Sequence, residues 1–147
     1  MLAVGGWAVP INYVWELAQS PLYVGMDTLG KSWWHCLVAS IGDAFLVLLI
    51  FGAGWAMFRE LDWFTRRGAA GAAFGAASGV VVAILVEWAA LSVRRWSYTP
   101  EMPLIPIADV GVLPVLQMAL LPPLIFRIAS LRTPNAGTTG DDSGLMT

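Results

Sequence analysis

Three carboxylates lie where carboxylates are costly. Glu16 falls inside the apolar run from Leu2 to Ala18, Asp43 inside Trp33 to Phe58, and Glu87 inside Gly68 to Val93. An ionisable side chain at membrane depth costs about 2.5–3.5 kcal/mol on insertion scales, so each acid is expected to face protein or water and not lipid. A poorly solvated pocket cannot hold several bare negative charges, so at least one acid should be protonated or ion-paired. A protonated acid can protonate an olefin, an epoxide or a leaving oxygen. Trp15, Trp88, Trp96 and Tyr98 could stabilise a developing cation with their ring faces. Glu16, Asp43 and Glu87 are therefore the candidate catalytic residues, and Asn12, Gln19, His35, Arg94, Trp96, Tyr98 and Gln117 the candidate binding residues.

Each of these residues also has a plainer reading. Glu16 and Glu87 could pair with Arg94 or Arg95, and Asp43 could hydrogen-bond Asn12 or Gln117 to lock helix packing. His35, beside Trp33 and Trp34, reads as an interfacial residue, and Cys36 as a small apolar filler. With one histidine and one cysteine in 147 residues, neither a multi-histidine or cysteine-based metal site nor an intrachain disulfide is expected, and a metal held by His35 and a carboxylate has only a weak spacing signal. No cofactor is implied.

The elements that must position these residues follow from composition. The chain is 58% hydrophobic and 12% charged, against about 25% charged in soluble domains. Its net charge of −2 offers no footprint for nucleic acid. Four apolar segments predict an all-α membrane protein, an up-down bundle over residues 1–131, followed by a disordered polar tail over 132–147. The first helix covers Leu2 to Ala18 with Pro10 inside it. Because it lacks a basic leader, it reads as an uncleaved span. The second runs from Ser32 to Phe58, with Gly42, Gly52 and Gly54 open to close helix approach, and Arg59 to Arg67 follows as a polar loop. The third runs from Gly68 to Val93. Its Gly71, Gly75, Gly79, Ala83 and Glu87 fall four apart, a small-residue ridge that lets a neighbouring backbone approach. The fourth runs from Ile107 to Leu131, with Asp109 near its start and Pro114, Pro122 and Pro123 expected to kink it.

Seven tryptophans (15, 33, 34, 55, 63, 88 and 96) fall near helix ends, as in interfacial belts. Five arginines on the side of both termini against three basic residues opposite favour cytoplasmic termini in an inner membrane. An up-down order brings Glu16, Gln19, His35, Cys36, Asp43, Glu87, Arg94, Arg95, Trp96, Tyr98 and Asp109 to one side, with Gln117 as a possible floor.

The segments Asn12–Tyr23, Trp34–Asp43, Glu87-Trp88, Arg95–Pro103 and Gly111–Gln117 together resemble a family of small bacterial integral membrane proteins. That resemblance covers nearly the whole chain to Arg127 and implies the four-helix architecture. The pair Trp15-Glu16 is similar to a Trp-Glu pair of the small integral-membrane terpene cyclases, which use lone acids on more numerous helices. It implies a role for Glu16 as an acid. Three functions are thus open: an enzyme or binder for a lipophilic small molecule such as an isoprenoid, an accessory subunit of a larger membrane complex, or a transporter or channel protomer. Membrane lipids, a lipophilic ligand or other membrane subunits are the partners expected.

Overall fold

The computed structural model describes residues 2–26 and 29–131. The tail over 132–147 lies outside the described residues. The chain is helical along most of its length, with α1 over Leu2–Gln19, α2 over Leu29–Phe58, α3 over Trp63–Arg66, α4 over Gly68–Ser92 and α5 over Val112–Leu131. A single 3₁₀ turn, Ser20–Leu22, closes α1, and Pro21 fits its start because the missing N–H has no partner to lose there.

The four long helices form a ring. α1 packs on α2 and α5, while α4 packs chiefly on α5 and less on α2. Three helices are long and apolar enough to cross a membrane: Ser32–Phe58 within α2, α4 and α5. α1 is not among them, although it completes the ring. Pro10, Asn12, Glu16 and Gln19 dilute its apolar length.

The small-residue ridge of α4 is used inside the molecule. Gly71, Gly75, Gly79, Ala83 and Glu87 are all buried. A Cβ on Gly79 would sit 1.7 Å from the Met118 carbonyl oxygen, so this glycine lets α5 backbone touch α4 backbone. At Gly75 a Cβ would find Pro123 at 3.6 Å, an ordinary contact.

Several expectations are corrected. Arg59 to Arg67 is not a plain polar loop, because α3 turns Trp63 into the bundle. Trp63 is 0% exposed and therefore a core residue, not part of an interfacial belt. Its ring meets Phe51, Phe58, Phe64, Phe74 and Phe126, and its Nε1 donates to the Phe51 carbonyl at 3.2 Å. Gly54 makes room for it, since a Cβ there would lie 2.2 Å from the indole. Gly42 and Gly52, by contrast, face open space. The fourth long helix starts at Val112, not Ile107. Leu104–Ile105 and Val110–Gly111 pair instead as a short antiparallel hairpin. Asp109 sits in its turn with φ of 54°, exposed and three residues before the helix start. α5 runs unbroken through Pro122 and Pro123.

Candidate functional site

Asn12, Glu16 and Gln19 recur at helical spacing, so α1 presents all three to one side. Asn12 and Gln19 are buried there and Glu16 is half-buried. α2 contributes Asp43, on the same face as buried Cys36, Ser40 and Val47. Gln117, 2% exposed, comes from the second turn of α5.

Gln117 is the hub of a three-helix network. Its Nε2 donates to Asp43 Oδ2 at 2.8 Å and to Asn12 Oδ1 at 3.0 Å. Its Oε1 accepts from Gln19 Nε2 at 3.0 Å. The same Gln19 nitrogen donates to Glu16 Oε1 at 2.7 Å, and Gln19 Oε1 accepts from Trp15 Nε1 at 3.1 Å. Asn12 Nδ2 is occupied by the Ala8 carbonyl at 2.9 Å. Each amide hydrogen of Gln19 and Gln117 thus has an acceptor. Glu16 and Asp43 are thereby joined through two amides, Gln19 and Gln117.

Glu87 is 5% exposed and forms a second, adjoining group. Its Oε2 accepts from Trp96 Nε1 at 3.2 Å and from the Tyr98 hydroxyl. Tyr98 in turn accepts from the Gly111 amide at 3.1 Å. Burial, and the Glu87 carboxylate it donates to, push the Tyr98 phenol well above the ordinary tyrosine range. Glu87 therefore ties the segment after α4 back onto the bundle.

Tyr23 packs onto the Glu87 group. It is 8% exposed, with its ring centroid 5.6 Å from that of Tyr98 and 6.4 Å from that of Trp96. Val24 N donates to Ser97 O, and Thr99 N to Leu22 O. The segments 22–24 and 97–99 thereby form a cap over the end of the bundle that holds the acids. Sequence reasoning passes over Tyr23 as an ordinary turn residue. The signal was available: a tyrosine two residues after a proline that ends a helix, on the side where the acids gather.

Other expected site residues stand apart. His35 is exposed on α2, beside the exposed Trp33 and Trp34. Arg94 and Arg95 are exposed just past α4 and do not pair with Glu16 or Glu87. Among the described residues the ion pairs are Arg66–Asp62 and Arg67–Glu60, both at the opposite end. Hydrogen bonds from amides, indoles and a phenol take the place of the expected arginine pairing. Among the described residues no cluster of His, Cys, Asp and Glu could hold a metal ion. The chain matches no known family, no curated protein and no solved structure.

Proposed function

We propose that the chain is a four-span integral membrane protein that binds or converts a lipophilic small molecule, isoprenoid-like in character, at the Glu16–Asp43 pair. One observation supports this reading most: two carboxyl groups from two helices are joined through the side-chain amides of Gln19 and Gln117, and among the described residues neither is in an ion pair. The amide hydrogens around them already have acceptors. Two carboxyl groups on one poorly solvated amide network would share a proton, because such a site does not hold two bare negative charges. The pair would titrate as a unit and donate that proton to a polarisable bond in the ligand. Tyr23, at the same end of the bundle, would offer its ring face to the resulting cation. The resemblance of Trp15-Glu16 to the cyclase pair agrees with this role.

The test is incubation of the detergent-purified protein with polyene and epoxide isoprenoids, with product analysis. Turnover by the wild type, lost in Glu16→Gln and Asp43→Asn at unchanged thermal stability, is the expected outcome. A wild-type protein inert on both classes, or variants that turn over normally, would overturn it.

A second reading, an accessory subunit, has its own support. Asn12, Gln19 and Gln117 bond one another across α1 and α5 as a packing device would. On that reading the amide variants keep function, and only alanine destabilises.

A further inference from the structure

On the flank of α1 away from the acids, Trp7, Pro10, Ile11, Val14, Trp15 and Ala18 line a groove closed by Leu121 of α5, with a volume of about 510 Å³. That lies within the range of about 300–1,000 Å³ typical of small-molecule sites. We propose that this groove holds one acyl chain of a membrane phospholipid, lying along α1 with its headgroup at the Ala18 end. The inference rests on α1 lying in the bilayer as a fourth span.

The chemistry of the lining selects hydrocarbon. It contains two indoles, a proline ring and aliphatic groups and no charged side chain. Pro10 has no N–H to offer a ligand. The Trp15 indole nitrogen is turned to Gln19 and is not free for a guest. The length selects the lipid. From Trp7 to Ala18 is eleven residues, about 16 Å along a helix. That is about half of a hydrocarbon core roughly 30 Å thick, the depth of one leaflet. A chain anchored at the interface near Ser20 would run the groove and end near Trp7, as an acyl chain of that leaflet does. A bound chain also props Trp15, whose indole holds Gln19, which grips Glu16 at 2.7 Å.

Native mass spectrometry of the full chain, released from detergent micelles containing phosphatidylethanolamine, tests the proposal. The wild type is expected to retain one phospholipid. Val14→Trp and Ala18→Trp, which fill the groove from exposed positions, should each lower the occupied fraction about tenfold, the equivalent of about two buried methylenes. Leu49→Trp, on an exposed face of α2, should leave it unchanged. Thermal melting confirms that the variants fold, and reporter fusions at the termini test the span separately. No retained phospholipid, equal retention in all variants, or displacement by a prenyl alcohol that phospholipid cannot reverse would each overturn the assignment.

Discussion

At the scale of single residues, Gln117 matters more than any acid. It meets Asp43, Asn12 and Gln19 at once, so its removal orphans groups on two other helices. Gln117→Leu keeps the volume but deletes those partners. Each buried group left unpaired costs about 1–3 kcal/mol. The variant should therefore melt well below Asp43→Asn, in which the amide oxygen still accepts from Gln117. Denaturation of both proteins in the same detergent checks the order. Tyr98 makes a parallel case. Tyr98→Phe removes a donor from Glu87 and an acceptor from the Gly111 amide, and should cost about 1–3 kcal/mol. The pH sign follows from the raised phenol. The folded state holds the Tyr98 proton more tightly than the unfolded chain, so its contribution is complete below about pH 10 and fades as pH rises further. The stability gap between wild type and Tyr98→Phe, read as unfolding free energy across an alkaline series, should narrow above that point.

At the scale of elements, the helices were legible and their contacts partly so. Long apolar runs and four-residue glycine spacing announced α4 and its buried ridge. Sequence could not say which glycine is indispensable, because that depends on how closely one partner backbone approaches. The structure separates them. Gly79→Ala drives a methyl into the Met118 carbonyl, whereas Gly75→Ala meets Pro123 and Phe126 at ordinary distance. Gly79→Ala should lose about 3 kcal/mol or more and Gly75→Ala little, while Gly75→Leu should fail to fold. Thermal stability of the three variants in detergent is the measurement, and equal melting of Gly79→Ala and wild type would show that α4 and α5 are not in backbone contact. Trp63 was illegible for a different reason. Its neighbours Arg59, Glu60, Asp62, Arg66 and Arg67 are polar, so local pattern placed it at an interface. A four-residue helix and the notch at Gly54 put it in the core instead. The pairing of Glu87 with Trp96 and Tyr98 was equally hidden, because a β hairpin and the cap of Tyr23 bring those side chains back onto α4.

At the scale of the whole molecule, the undecided element is α1. Its composition falls short of the three helices able to cross a membrane, yet its polar residues are consumed inside the protein. Asn12 is 0% and Gln19 4% exposed, and both spend their amides on Ala8, Glu16 and Gln117. Polarity that is satisfied internally does not need water, which removes the main obstacle to a fourth span. The outward side of α1, with Val14 69% exposed, is apolar as a lipid-facing side should be. If α1 spans, the ring crosses four times and both termini share a side, which the five-to-three excess of basic residues predicts to be the cytoplasmic one. Paired reporters active only in the cytoplasm or only outside it, fused in turn at each terminus of the full chain, should report the same side. Opposite sides would mean that α1 rests at the interface, the Glu16–Asp43 pair meets headgroups and water, and chemistry on a membrane-buried ligand has no dry place to happen.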